Sequence, residues 1–419
     1  MDPIVLALLV IAALLTWGQV QARMSPSLVS EAGEASRLFE LHWALDPRLG
    51  AKPSEKPHAN RWDNAVEAVV CFEGGAHDEA VRCLPNTPDG SFRACWEAAY
   101  GSGPFPAARE RKQVMRGLGD GLAAKLLDAA LEKKAGGDSD DARRSAMDHY
   151  RRRAYVVFSA FFLALAGAAA GVWVGVRMFA RRSEIASKVG TVGGLAYRTS
   201  GTMVIRVFLA WYIVFLSSAT IAAWIDAAVP LGPFTLPVAY LLHSVFGLGL
   251  VARAEGISLA ALWKKIAPKE SPWLKNGLKY LLLALTCALL LNLVMSPFLP
   301  DGEPPQKDLV GFIRGLNSVV PFVTVFGTVA LLGPFFEEVF FRGFLLPTMR
   351  RRMSPAAAIL LSGAMFGAVH LQPLAFPTLA VLGSLLGLVF LATRDIRAAI
   401  LVHACWNGGA FILQRMLLS

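Results

Sequence analysis

The chain has 419 residues; 55% are hydrophobic and only 17% charged, and Lys plus Arg outnumber Asp plus Glu by 41 to 31. A soluble domain carries about 25% charged residues, so this balance excludes an ordinary cytosolic enzyme. So much apolar surface also excludes a disordered chain. The positive excess is that of basic membrane loops, and no basic-aromatic patch points to nucleic acid.

Pro3 to Trp17 is an apolar run, followed by Val20-Gln21-Ala22 before Arg23. Residues 1–22 read as a secretory signal or as a first membrane helix: the short apolar core favours the signal, while Asp2 and the missing basic start count against it. Residues 24–150 have the mixed charge of a soluble, helical, extracytoplasmic domain, with Leu122, Leu126, Leu127 and Leu131 at amphipathic spacing. Cys71, Cys83 and Cys95 fall in it. Two of them can pair in an exported domain, and buried thiols are the alternative. Their spacing fits no zinc pattern.

After Arg151-Arg152-Arg153 the chain is mostly apolar. The expected spans are Tyr155–Val176, Val207–Ile225, Leu231–Ala252, Tyr280–Leu299, Val319–Leu346, Pro355–Leu371, Leu374–Ala392 and Ala398–Gln414. Each approaches or exceeds the roughly 20 residues that cross a bilayer as a helix. The fold class is therefore an all-α polytopic bundle of eight helices, or nine with the first, plus the soluble domain. Residues 155–279 read as accessory helices and basic loops, and 280–419 as a catalytic membrane domain. Basic turns around Arg177–Arg206, Arg253–Lys279, Arg350–Arg352 and Arg394–Arg397 fall on one side, which the positive-inside rule makes cytoplasmic. The acidic connection with Asp301, Glu303 and Asp308 then lies outside, as does the soluble domain. Arg151 to Arg153 conflict with this, since they stand at the outer end of their helix.

From Tyr280 onward there are six acidic residues, and only Glu337 and Glu338 lie inside an apolar run. A carboxylate in a membrane helix costs about 2.5–3.5 kcal/mol on insertion scales, and two neighbours resist joint ionisation. Arg342, four residues on, can pair with Glu338, while Glu337 points about 100° away. Phe366 and His370 share a face of a later helix, as do His403 and Asn407 of the last. Helix rise puts Glu337 and His370 roughly 15–25 Å from the basic ends and His403 nearer 10 Å, so a tilt or helix break must bring His403 level. His243 reads as an interhelical hydrogen bond.

Chemically the set suits activated water. A carboxylate beside an imidazole can take a proton and return it to a leaving amine, and an imidazole with an amide can hold an oxyanion. Glu337, His370 and His403 can also form a His₂Glu zinc set, although no HExxH is present. Zinc and metal-free chemistry both stay open. A proton relay of a transporter is the competing class, and a silent scaffold the third; no inverted repeat supports the transporter.

Glu337-Glu338-xxx-Arg342, Phe366-xxx-His370 and His403-xxx-Asn407, complete and in this order, resemble the three motifs of the CAAX-protease and bacteriocin-processing (CPBP) family of Rce-like intramembrane endopeptidases. The resemblance covers about Tyr280 to Leu413. It implies peptide-bond hydrolysis in the membrane, with a membrane-anchored protein or peptide as substrate and the lipid bilayer as surroundings. Glu337 would be the general base assisted by His370, Glu338 and Arg342 would support the site, and His403 with Asn407 would form the oxyanion hole. The family is read either as metal-dependent or as glutamate-activated. The Ala- and Arg-rich composition suits a bacterial inner membrane, where myxosortase-like members trim the membrane tails of exported proteins.

Overall fold

The computed structural model describes residues 2–24, 34–45, 58, 60–88, 90–119, 121–137, 139–190, 198–295, 313, 316 and 318–418. Asp301, Glu303 and Asp308, the expected acidic connection, lie outside them. Among the described residues every regular element is a helix, with no strand. Seven helices among the described residues are long and apolar enough to cross a membrane. Two compact units divide the chain: Met1–Pro26, Ala164–Pro297 and Gly315–Ile412 in one, and Ser27–Leu163, Phe298–Arg314 and Leu413–Ser419 in the other.

The smaller unit contains α2 (Glu34–Leu45), α3 (Arg61–Glu73), α4 (His77–Cys83), α5 (Gly90–Tyr100), α6 (Ala108–Leu118), α7 (Leu122–Lys134) and the first part of α8 (Asp140–Ala180), after α1 (Pro3–Met24). Leu122, Leu126, Leu127 and Leu131 are buried in its core, as their spacing requires. Asn60 caps α3 by accepting from Trp62 N–H. Glu40, fully buried, accepts the Ala123 N–H at 2.7 Å and so places its charge at the α7 N-terminus. All five cysteines are unpaired. Burial pushes the Cys71 thiol up to about 12 and those of Cys83 and Cys95 to about 11, so they are poor nucleophiles at neutral pH. Two arginines of the basic cluster are used inside this unit: Arg151 donates to Ala44 O at 3.3 Å and Arg153 to Met416 O at 2.7 Å.

The larger unit holds α1, the rest of α8, α9 (Arg182–Gly190), α10 (Gly201–Ala228), α11 (Thr235–Glu255), α12 (Leu259–Ile266), α13 (Trp273–Met295), α14 (Val319–Arg350), α15 (Pro355–Val369), α16 (Phe376–Thr393) and most of α17 (Ile396–Leu418). α1 lies parallel to α10: Asp2 pairs with Arg206, Val5 and Ala12 pack with Leu209, and Thr16 Oγ1 is 3.0 Å from Tyr212 Oη. The expected span Pro355–Leu371 falls short. α15 has 15 residues, rising about 22 Å, and stops because Leu371 turns left-handed at φ 53°.

Hydrogen bonds join the basic turns at one end of this unit. Arg352 donates to Thr199 O at 3.1 Å, Arg394 to Lys188 O at 3.4 Å, and Arg397 to Pro268 O.

α14 is not a uniform α-helix. Thr328–Leu332 and Phe341–Leu345 are π-turns, closed by Gly333 N–H on Thr328 O and Leu346 N–H on Phe341 O. Prolines explain both. A proline inside a helix has no N–H, and its ring clashes with the carbonyl four residues back. For Pro334 and Pro347 those carbonyls belong to Ala330 and Gly343, at the centres of the two wide turns. Glu337 and Glu338 lie on the α-helical stretch between them.

Candidate active site

Glu338 and Arg342 are fully buried, and Arg342 Nη1 donates to Glu338 Oε1 at 2.7 Å. The guanidinium has three further neighbours. Its Nη2 donates to Gly383 O on α16 at 2.9 Å, and its centre lies 4.5 Å from the Phe366 ring and 5.6 Å from that of Phe341. Gly383 can approach because α15 and α16 meet at glycines: a Cβ on Gly363 would lie 2.2 Å from Ser384 Oγ, and one on Gly383 2.9 Å from Gly363 Cα.

His403, 2% exposed, joins the two glutamates. Its Nδ1 is 2.9 Å from Glu338 Oε1 and its Nε2 3.8 Å from Glu337 Oε2. A carboxylate oxygen only accepts, so Nδ1 carries the proton on the Glu338 side and Nε2 presents its lone pair, or a second proton, to Glu337. His403 is therefore level with the acids despite its shallow position by rise along the chain.

Phe366 ties the two imidazoles together, its ring centroid 4.9 Å from that of His370 and 5.5 Å from that of His403. His370 caps the C-terminus of α15, immediately before the strained Leu371, and its Nδ1 is 2.7 Å from Phe366 O. Asn407 Nδ2 donates to Val329 O at 3.1 Å, inside the first π-turn.

Four buried polar atoms here lack a hydrogen-bond partner: Glu337 Oε2, Glu338 Oε2, Arg342 Nε and Ser244 Oγ. Glu337, with 17% of its side chain exposed, also borders a cavity of about 10 Å³ walled by Trp211, His243, Ser244, Leu248, Phe336 and Phe340. That is about the space one water needs. His243 makes the interhelical contact expected of it, 3.4 Å from Ser218 Oγ, and in addition faces this cavity.

Residues 319–409 match the model of one family, described as type II CAAX prenyl endopeptidase Rce1-like. This segment is an Rce1-like domain. No curated protein and no solved structure matches the chain. The Rce1-like domain extends from the start of α14 into α17 and contains all three motifs. Its family is one of peptidases.

Among the described residues no three His, Cys, Asp or Glu side chains converge as ligands. Glu338 Oε1 is already engaged by Arg342 and His403. The arrangement does not offer the three protein ligands of a catalytic zinc.

Sequence reasoning missed four participants: the Gly383 carbonyl, His243 and Ser244 at the cavity, and the π-turns. Pro334 and Pro347 were the available signal, since wide turns occur at functional sites.

Proposed function

We propose that this chain is an intramembrane endopeptidase that hydrolyses a peptide bond in membrane-anchored protein or peptide substrates. One observation carries the reading: Arg342 and His403 both hold Glu338, while Glu337 Oε2 has no hydrogen-bond partner. Adjacent acids in such different surroundings divide the labour of acid–base chemistry.

Glu337 takes a proton from water as the oxygen attacks the scissile carbonyl. The C–N bond then breaks, and the same carboxyl returns the proton to the leaving amine, so one water is consumed and an acid and an amine form. Glu338 and Arg342 fix His403, which in its doubly protonated form donates from Nε2, together with the second Asn407 N–H, to the oxyanion. His370 assists from the other side of Phe366.

The orientation follows the loop charges. α1 is retained as a membrane helix parallel to α10, residues 24–150 are extracytoplasmic, and the membrane is a bacterial inner membrane. Sorting-tail processing is the assigned role there.

The test compares protein termini in the host's membrane proteome, by mass spectrometry, for wild type, Glu337→Gln and His370→Ala at equal enzyme abundance. The expected result is one set of termini lost in both variants. Unchanged termini would sink the peptidase reading.

A further inference from the structure

A second cavity, about 900 Å³, opens where α8 and α16 end and α13 begins, beside α9, at the face that carries the basic turns. Its walls hold Arg177, Arg181, Lys188, Lys275, Lys279 and Arg394 against one acid, Glu184. Glu184 is already paired with Lys188 at 2.8 Å. Among the described residues Arg177, Arg181, Lys275 and Lys279 have no carboxylate partner in the ion pairs and side-chain hydrogen bonds of this end.

Helix packing forces these cations together. A Cβ on Gly171 would lie 2.1 Å from Leu282 O and from Thr286 Oγ1, and Thr286 donates to Ala168 O at 2.6 Å. The backbones of α8 and α13 are thus pinned in contact. One to three turns further along, Arg177 of α8, Arg181 just past its end, and Lys275 and Lys279 of α13 line one space. Like charges so confined repel one another unless an anion joins them.

Exposed apolar side chains border the cavity. Trp173 is 60% exposed, with Val176 and Phe179 beside it on α8 and Leu274 and Leu278 on α13 also exposed. Arg177 stands over the Trp173 ring at 4.5 Å, an aromatic–cation pair suited to the headgroup level. An anion bound here has apolar helix surface directly beside it for acyl chains.

We propose that this cavity binds the phosphate of an anionic phospholipid of the cytoplasmic leaflet. Basic pockets between membrane helices hold such headgroups, and the acyl-chain surface selects a lipid over a free phosphate ion. The site is separate from Glu337 and does not depend on the peptidase reading.

The test is native mass spectrometry of the full chain in detergent, with phosphatidylglycerol, phosphatidylcholine or inorganic phosphate added in turn. Phosphatidylglycerol should be retained and phosphatidylcholine not. Arg181→Gln with Lys279→Gln should lower phosphatidylglycerol occupancy roughly tenfold or more. The same charge removed from exposed Lys264 and Lys265 on α12 should leave it unchanged. Equal retention of phosphatidylcholine, an equal loss in the control, or saturation by inorganic phosphate alone overturns the proposal. The lipid-free unfolding midpoint of the double variant should hold or rise, because repulsion is relieved. If it falls, exposed Lys275→Gln alone carries the comparison.

Discussion

Glu40 in the smaller unit and Glu338 in the larger are both fully buried, yet their surroundings have opposite character. Glu40 accepts a backbone N–H at the start of a helix, where the peptide dipoles favour its charge. Glu338 shares one oxygen between Arg342 and His403 while the other oxygen, and Arg342 Nε, have no hydrogen-bond partner. A buried acid that only stabilises can be satisfied by the backbone. Glu338, which positions an imidazole, leaves its network incomplete, and unmade hydrogen bonds in a dry interior cost about 1–3 kcal/mol each. The larger unit carries that cost at the Rce1-like domain, where the chemistry is proposed.

Substitutions can sharpen this contrast. The largest effect is expected for Glu337→Gln, which keeps size and burial but removes the base. Turnover should fall by roughly a hundredfold or more with an unchanged unfolding midpoint in detergent. An active Glu337→Gln enzyme would break the assignment. Next comes Arg342→Met. It leaves Glu338 as an unpaired buried charge and should destabilise the larger unit by about 3–5 kcal/mol, measured by unfolding of the purified protein. Gly363→Ala should follow, at about 1–3 kcal/mol, because its Cβ would meet Ser384 and force α15 from α16. Activity should drop with it, since the Gly383 carbonyl that holds Arg342 moves. The smallest effect is expected for Glu40→Ala, about 1 kcal/mol, read as earlier protease cleavage within 60–137 and no change in turnover per folded molecule. A large loss of turnover from Glu40→Ala would erase the distinction between the two acids.

The Glu338–Arg342 pair was legible in advance because it is local: residues four apart on a helix are neighbours whatever surrounds them. The apolar runs were legible because crossing hydrocarbon demands length and composition alone. α15 was overestimated by its apolar content, since hydropathy does not register the left-handed Leu371 that ends it. Arg151 to Arg153, which conflict with the loop-charge reading, bind carbonyls of Ala44 and Met416 through two of their side chains. Charge counting ignores such partners. His403 came out too shallow because straight-helix counting cannot see how α14 and α17 cross.

By itself, the sequence determined that this is an all-helical membrane protein, and it singled out the few polar side chains that its late helices carry. Those follow from hydropathy and from local spacing. Tertiary structure decided that Glu338 is the glutamate hydrogen-bonded by both Arg342 and His403, placed His403 between the two acids, and gathered the cations at the ends of α8 and α13 around one cavity. Each of those outcomes depends on close approach between residues far apart in the chain, made possible by glycines and prolines whose effect is felt only once helices pack.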